Sequence, residues 1–427
     1  MQNTLQATRQ INRIQSLDFL RGLAVLGILL INIESFCYPN PWSSYEYGYQ
    51  SALDHDVRFW VYFLAQGKFF GMFSLLFGVG FYIFLERLES KGIGLKALDI
   101  YARRLLILFL IGVIHAYFIW DGDILYHYAI CGFLLFPFRA FTVRKLLFIL
   151  LVPVSVLSYN SISNVLSRQE QHQKYVEASN AKNPTEEQKK IVEKWISRTS
   201  RKEGHIETIE NHRQTYWQSV KANAEHTKVH KGEVMYSGIL FRTLIMMILG
   251  IILYKSGVFR DYHSVKYYWL ITAAVTAFAV YVNYIRYYHW TYQYFDPLLS
   301  VWKEWLFTFP KETMALAYIL VFNGLYQKFS IFKRLIPISL AGRMALTNYI
   351  TQSIICGLIF YGYGFSLYGQ LARHELLYIV PCIWILQLIW SYFWFKKFEY
   401  GPLEWCWRRL TYSGGDSNSS SFNEINL

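Results

Sequence analysis

The residues of this 427-residue chain that are best suited to do chemistry are His115 and Asp123. They lie in an apolar stretch, 104–138, where an ionisable side chain costs several kcal/mol unless it faces a partner or a wet cavity, and so marks function by default. A histidine that a carboxylate orients can act as a general base, and Asp121 offers a second carboxylate in the same turn. We therefore identify His115, Asp123 and Asp121 as candidate catalytic residues. The alternative is that His115 is a packing residue satisfied by one hydrogen bond.

A fourth candidate catalytic residue, Asn32, lies in the first apolar segment of the chain. At 100° per residue, Asp18, Arg21 and Asn32 fall within an arc of about 60°, and Asn32 lies on the order of 21 Å further along the axis than Asp18. The same helical rise per residue, counted from Arg104, places His115 at a similar depth, in the outer half of a bilayer. Asn32 needs a hydrogen-bond partner there. Arg21 has a simpler explanation, which is an ion pair with Asp18 at the membrane surface.

Three further residues are candidates for binding substrate: Lys68, Tyr128 and Gln352. Lys68 begins an apolar segment, and its alternative role is to extend its ammonium group to the membrane interface. Gln352 belongs to a polar stretch, 341–353, that also contains Arg343 and Asn348. Such a stretch predicts either a ligand cavity or hydrogen bonds that join neighbouring helices.

The composition predicts an all-α, polytopic integral membrane protein. The chain is 54% hydrophobic and 17% charged, against roughly 25% charged residues in soluble domains. Apolar runs of nearly membrane-spanning length predict about ten transmembrane helices. The predicted spans are 17–36, 66–86, 104–121, 122–138, 145–160, 237–255, 267–287, 311–327, 337–360 and 376–396. No cleavable signal peptide is recognisable, because the first sixteen residues are polar.

The distribution of Lys and Arg predicts the orientation. The loops that follow the even-numbered spans are rich in both, whereas the short loops on the other side carry few, so both termini are predicted to be cytoplasmic. The net charge of +13 then reflects topology and attraction to the lipid surface rather than nucleic-acid binding, for which no motif is present. The bilayer is therefore the one partner that composition itself predicts.

One long polar segment, 161–235, interrupts the apolar pattern and predicts a helical insertion of two or three helices on the extracytoplasmic side. It separates the predicted membrane domains 17–160 and 236–398, which are flanked by cytoplasmic segments 1–16 and 399–427. Five histidines lie in the insertion, but none forms the spacing of a metal site, so we expect them to be solvated. The five cysteines imply neither a disulfide framework nor a zinc site.

The blocks that carry these residues resemble the YeiB-like family of bacterial inner-membrane proteins. The resemblance spans essentially residues 13–412, and the blocks occur in the family's order. They are Leu17-Asp-Phe-Leu-Arg-Gly22, Lys68-Phe69, Leu76-Phe-Gly78, Gly112-Val-Ile-His115, Trp120-Asp-Gly-Asp-Ile-Leu125, Gly342-Arg-Met-Ala-Leu-Thr-Asn-Tyr349 and Gly401-Pro-Leu-Glu-Trp-Cys-Trp-Arg-Arg-Leu-Thr411.

The resemblance extends to a broader superfamily of transmembrane acyltransferases, which includes the lysosomal enzyme that acetylates the terminal glucosamine of heparan sulfate. It implies that an acyl group, such as acetyl, passes from cytoplasmic acyl-CoA to an envelope sugar or another hydroxyl or amine acceptor, without a metal. Arg21, Arg103, Arg104, Arg343 and Asn348 would then bind CoA, and His115 would deprotonate the acceptor. The implied location is the bacterial inner membrane.

Two other functions remain open at this point. In a proton-coupled transporter or flippase of a small molecule, His115 and Asp123 would relay protons, although no inverted repeat is recognisable. In a structural membrane protein, the insertion would bind another envelope protein. The sequence does not determine the oligomeric state, and a homodimer is compatible with it.

Overall fold

The architecture of the chain was obtained from a computed structural model, which describes residues 14–43, 46–92, 94–199, 205–213, 215–236, 238–293 and 300–413. Within these ranges all regular secondary structure is helical, and no β-strand occurs. The predicted all-α class is confirmed.

The described residues form eighteen α-helices. In chain order they are α1 Gln15–Cys37, α2 Ala52–Leu64, α3 Lys68–Glu89, α4 Leu95–Phe118, α5 Leu125–Leu135, α6 Val143–Ser179, α7 Glu186–Thr199, α8 His205–His212, α9 Tyr216–Tyr236, α10 Ile239–Lys255, α11 Tyr268–Tyr288, α12 Val301–Leu306, α13 Pro310–Lys328, α14 Ser330–Lys333, α15 Ile336–Arg343, α16 Ala345–Phe360, α17 Arg373–Trp394 and α18 Pro402–Tyr412.

Each of the ten predicted spans coincides with helix, with two differences in detail. The ninth span is not continuous, because the helix breaks at Met344 between α15 and α16. The fifth span does not end near residue 160 but continues as α6 for 37 residues. Five helical stretches in the described part of the chain are long and apolar enough to cross a bilayer: Gln15–Cys37, Ala52–Glu89, Val143–Ser179, Tyr268–Tyr292 and Arg373–Trp394. Apolar helices of this length are those of a membrane protein.

Helix α4 separates a surface that faces lipid from one that faces the protein interior. Leu106, Leu110, Ile114 and Phe118 recur every fourth residue and are all exposed. A stripe of large apolar side chains that stays exposed on a membrane helix is expected to contact lipid. His115 lies on the opposite, buried side, so the fold directs the candidate base into the bundle.

Glycines allow the central helices to cross so closely that their backbones are in contact. A Cβ atom on Gly342 of α15 would lie 1.9 Å from the carbonyl oxygen of Asp18 in α1, and one on Gly22 would lie 1.9 Å from that of Ile338. Helices α3 and α10 cross in the same way, since a Cβ on Gly78 would lie 2.4 Å from the carbonyl oxygen of Met247. Small residues at such crossings are how membrane helices approach closely.

The insertion packs against the membrane helices and is not connected to them only through a loop. Helix α6 is roughly 55 Å long at 1.5 Å per residue, which exceeds the bilayer core, and α7 packs against it. Helix α9 packs against the end of α4. There the Tyr216 hydroxyl donates to the Phe118 carbonyl (2.9 Å) and the Thr227 hydroxyl to that of Ala116 (3.4 Å). The last carbonyls of a helix have no partner within the helix, so the insertion caps α4 three residues from His115.

We predict that Gly342→Ala destabilises the protein, because its methyl group cannot fit beside the Asp18 carbonyl without separating α1 from α15. Overpacking of this kind costs about 1–3 kcal/mol, more than the gain of about 1 kcal/mol in helix propensity. The melting temperature of the detergent-solubilised protein measures the effect.

The matched control is Gly80→Ala. Its new methyl group would meet only the tip of the Arg21 side chain, at 3.2 Å, so this variant should melt at or above the wild-type temperature. Equal melting temperatures for the two variants would contradict the proposed backbone contact.

Candidate functional site

His115 and Asp123, eight residues apart, meet inside the bundle. The Nδ1 atom of His115 lies 2.8 Å from Oδ1 of Asp123, and their side chains are 1% and 0% exposed. The second carboxylate oxygen of Asp123 accepts the backbone N–H of Tyr126 at 3.1 Å. A carboxylate can only accept, so the hydrogen lies on Nδ1, and a neutral imidazole then carries its lone pair on Nε2. We refer to these two residues as the dyad.

Gly112, one helical turn before His115, allows the dyad to form. A Cβ atom at this position would lie 2.2 Å from the backbone nitrogen of Tyr126 and 2.8 Å from Oδ2 of Asp123. The segment around Tyr126, which follows α4, therefore packs directly against the α4 backbone, where Gly112 has no side chain. Any side chain here would push Asp123 away from the imidazole.

The outer nitrogen of the imidazole, Nε2, has no hydrogen-bond partner among the described residues. Nε2 of His115 is fully buried and unpaired, although an unpaired buried polar atom costs about 1–3 kcal/mol. The ring of Tyr349 lies 5.2 Å away and that of Trp120 lies 6.3 Å away, centroid to centroid. The Tyr349 hydroxyl is also buried without a well-aligned hydrogen bond. Nε2 of His115 and the Tyr349 hydroxyl thus lie on either side of the contact between α4 and α16.

Asn32 lies on the side of α1 that faces this region. Phe36, one turn further along α1, stacks on Trp120 with ring centroids 4.5 Å apart. Asn32 is half-buried and forms no hydrogen bond in the described part of the chain. The structure thus brings α1, α4 and α16 together near the dyad, and no hydrogen bond joins Asn32 to His115 among the described residues.

Asp121 contacts the insertion and not His115. Its Oδ2 atom lies 3.4 Å from Nδ1 of His226 in α9. The hydrogen bond to Asp121 raises the pKa of His226 above its usual value. His212 of α8 is buried and stacks on Tyr368 at 4.6 Å, so the prediction that the insertion histidines are solvated is wrong for His212.

Asn348 and Gln352 join helices to one another. The amide of Asn348 donates to the Ala341 carbonyl (3.1 Å) and to Oγ of Ser391 in α17 (3.2 Å). The amide of Gln352 donates to the Val25 carbonyl of α1 and to the side chain of Gln387, each at 2.9 Å. This geometry favours the alternative role of interhelical hydrogen bonding. Tyr349, and not Asn348, is the residue of this stretch that reaches His115.

Lys68 and Tyr128 are both fully buried. Nζ of Lys68 donates to the Tyr62 carbonyl at 2.7 Å and lies 3.8 Å from the centre of the Tyr287 ring. The hydroxyl of Tyr128 is 3.1 Å from that of Ser74 and 3.3 Å from the Phe70 carbonyl. Neither side chain extends to the membrane interface.

Basic residues gather at the predicted cytoplasmic end of the bundle. Arg104 packs its guanidinium on Trp407 at 3.9 Å and lies within electrostatic range of Arg21 and Arg408. Arg21 also pairs with Asp18 at 3.2 Å. These three arginines come from α1, α4 and α18, and α4 connects them directly to the dyad.

The remaining two arginines predicted to bind CoA are engaged elsewhere. Arg103 forms an ion pair with Asp99 on the surface of α4. Arg343 lies over the Phe395 ring at 4.0 Å and donates to the Glu399 carbonyl at 2.9 Å.

The sequence interpretation missed a second buried charged group at the other end of α1. Arg373 of α17 donates to the carboxylate of Glu34 at 2.8 Å, and both side chains are buried. The Tyr62 hydroxyl donates to the same oxygen at 2.9 Å, and Arg373 also donates to the Pro41 carbonyl. An acid at the end of an apolar span was a usable signal, but its partner is 339 positions away. Within the described ranges, no group of three or more His, Cys, Asp and Glu residues could hold a metal ion.

Comparison with known proteins places these features in a family. Residues 253–414 match the family described as a protein of unknown function, DUF418. The chain is 30% identical to the uncharacterised protein YxaH of Bacillus subtilis, over 96% of this chain and 97% of the relative. It is also 30% identical to the uncharacterised protein YeiB of Escherichia coli, over 93% and 95% of the two chains. No solved structure matches.

We predict that docking of α9 on α4 weakens as the pH rises. The pKa of His226 is raised in the folded state by Asp121, so its stabilising effect is complete below the unfolded value of about 6.5 and is lost as the pH passes the raised value. Hydrogen-exchange protection of the α9 amides, corrected for intrinsic exchange, should therefore fall with rising pH. In His226→Gln this protection should be lower than in the wild type at acidic pH, and it should not change with pH.

His172→Gln is the matched control, since His172 contacts Trp195 and not α4. It should retain the pH dependence of the wild type. Unchanged α9 protection in His226→Gln across this pH range would contradict the role of the His226–Asp121 contact.

Proposed function

The chain belongs to the YeiB-like family, and within that family we propose that it is a membrane-embedded acyltransferase in which His115 is the general base and Asp123 holds it. The observation that carries the proposal is the dyad, which fixes Nδ1 on a carboxylate and leaves Nε2 buried without a partner. A base oriented by a third group is the arrangement that activates a nucleophile.

The proposed reaction needs one proton to be moved twice. Nε2 of His115 removes the proton from an acceptor hydroxyl or amine while that atom attacks the thioester carbonyl carbon of acyl-CoA. The carbon–sulfur bond breaks, and the imidazolium returns the proton to the departing thiolate. Asp123 stabilises the imidazolium and keeps the tautomer correct throughout.

The acyl donor is proposed to bind at the cytoplasmic end through Arg21, Arg104 and Arg408. Guanidinium groups suit the phosphates of CoA, and the Trp407 ring, already stacked on Arg104, offers a face for the adenine. His115 is eleven residues further along α4 than Arg104, or about 16 Å. One helix would therefore present both the phosphate-binding site and the base.

The acceptor is proposed to reach His115 between α1 and α16. Asn32 forms no hydrogen bond among the described residues, and the Tyr349 hydroxyl has no well-aligned one there, so each could position a sugar hydroxyl or an amine. The imidazole is 1% exposed, so the proposal requires Tyr349 and Trp120 to move aside when substrates bind. Closing over the reactants would exclude water, which competes as an acceptor.

The proposed location is the bacterial inner membrane, which the chain crosses several times with both termini in the cytoplasm. The excess of Lys and Arg on one side supports this orientation. The dyad and the insertion would then face the extracytoplasmic half, where envelope sugars are found. The only proposed cofactor is acyl-CoA, as co-substrate.

We predict that His115→Gln lowers acyl transfer by about 10²–10⁴-fold, the usual contribution of a general base. The amide of glutamine can still donate to Asp123 but cannot accept a proton. The measurement is transfer of radiolabelled acetyl from acetyl-CoA to envelope extract by the full chain in proteoliposomes. Asp123→Asn should lower transfer as well, because it no longer favours the reactive tautomer.

The matched control is His263→Gln, which replaces an exposed histidine in the short 3₁₀ helix between α10 and α11 and should transfer at the wild-type rate. Melting temperatures show whether each variant is folded. Full activity in a folded His115→Gln protein would contradict the mechanism. Wild-type proteoliposomes that transfer no acetyl, but take up a solute with protons in a His115-dependent way, would favour the transporter.

A further inference from the structure

A second group of charged side chains lies apart from the dyad, where the ends of four helices meet. It consists of Lys68 at the start of α3, Arg242 near the start of α10, Arg286 near the end of α11 and Lys311 at the start of α13. In the proposed orientation all four helix ends are extracytoplasmic. We refer to these residues as the basic cluster.

The backbone between α12 and α13 holds the two arginines in place. Arg242 donates to the Thr308 carbonyl at 2.8 Å, and Arg286 donates to the Phe307 carbonyl at 2.7 Å. Arg242 also pairs with Glu312 at 2.7 Å. These contacts direct both guanidinium groups toward the first turn of α13.

The cluster carries more positive than negative charge. Lys311 lies within electrostatic range of Arg242, Arg286 and Glu312, and Lys68 lies within range of Lys311, Arg286 and Glu312. Two guanidinium groups and two lysine amines thus share one carboxylate among the described residues. The guanidinium groups are always charged, so even without the lysines the described residues provide more positive than negative charge here.

Several donors of the cluster are also unused. Nε of Arg286 is buried without a partner, and Lys311 forms no hydrogen bond or ion pair within the described ranges. Lys68 is fully buried, yet it makes a single hydrogen bond, to a neutral carbonyl. The α13 N-terminus at Pro310 adds the positive end of a 19-residue helix. Unused donors, excess charge and a helix N-terminus coincide at one place.

We propose that the basic cluster is a binding site for a phosphate group, such as the headgroup of an anionic lipid or the phosphate ester of a soluble ligand. A guanidinium group can form a two-pronged contact with phosphate oxygens, and the ammonium of Lys311 can bind as a point charge. Several donors in one place suit the three or four oxygens of a phosphate group better than a single carboxylate. This site does not depend on acyl transfer and would persist if the dyad had another role.

The test is thermal stabilisation of the full chain in neutral detergent micelles. Inorganic phosphate, compared with chloride at equal ionic strength, should raise the wild-type melting temperature. Mixed micelles with phosphatidylglycerol, compared with phosphatidylcholine, should do the same if the site accepts a lipid headgroup. Stabilisation by phosphate alone would identify a soluble ligand, and stabilisation by phosphatidylglycerol alone would identify a lipid.

Lys311→Met is the main variant, because its ammonium forms no hydrogen bond or ion pair with the described residues. Without phosphate it should melt at or above the wild-type temperature, since repulsion within the cluster is relieved. Its apparent phosphate affinity should fall at least tenfold. Arg286→Gln should weaken phosphate binding further, and Lys333→Met, which removes an exposed cation beyond the far end of α13, is the matched control with unchanged binding.

Two results would overturn the proposal. One is that neither phosphate nor phosphatidylglycerol stabilises the wild type more than its control. The other concerns Asp296, which precedes α12 in the sequence and lies outside the described residues. If Asp296→Asn lowers the wild-type melting temperature and creates phosphate stabilisation that the wild type lacks, the counter-ion is Asp296 and no ligand is needed.

Discussion

The hydrogen bond between His115 and Asp123 is the interaction around which the membrane helices are arranged. Two ionisable side chains lie fully inside the bundle, and removing one partner of such a pair costs about 3–5 kcal/mol, because the other remains buried alone. Several features serve this one contact. Gly112 gives the returning chain its path, the Tyr126 N–H holds the second carboxylate oxygen, and α9 caps the carbonyls at the end of α4.

Most other buried polar groups are paired, which makes the exceptions informative. Glu34 and Arg373 neutralise each other, and the amides of Asn348 and Gln352 connect α16 to α17 and α1. The exceptions among the described residues include Nε2 of His115 and, in the basic cluster, Nε of Arg286. The first lies beside two aromatic rings and could accept a proton. The second belongs to a group of donors that suits phosphate.

The sequence predicted those parts of the structure that depend on local pattern. The helices follow from apolar runs, and the reversal after α4 follows from Asp121-Gly122-Asp123, whereas the contact of His115 with Asp123 became visible only in the structure. Contacts between distant segments could not be predicted from the sequence. The direction of Asn348 depends on Ser391 of another helix, and the contact of Asp121 depends on where the insertion folds back. The length of α6 was missed because hydropathy ends near residue 160, whereas helix geometry continues through polar residues.

The central claim is that Asp123 fixes the tautomer of His115 and leaves Nε2 free to accept a proton. The direct measurement is ¹⁵N nuclear magnetic resonance of the protein with labelled histidine, in which His115 is assigned from the spectrum of His115→Gln. The account predicts a neutral ring with its hydrogen on Nδ1 and a bare Nε2, and a shift of that tautomer in Asp123→Asn. A hydrogen on Nε2 in the wild-type protein, or a spectrum that Asp123→Asn leaves unchanged, would contradict it.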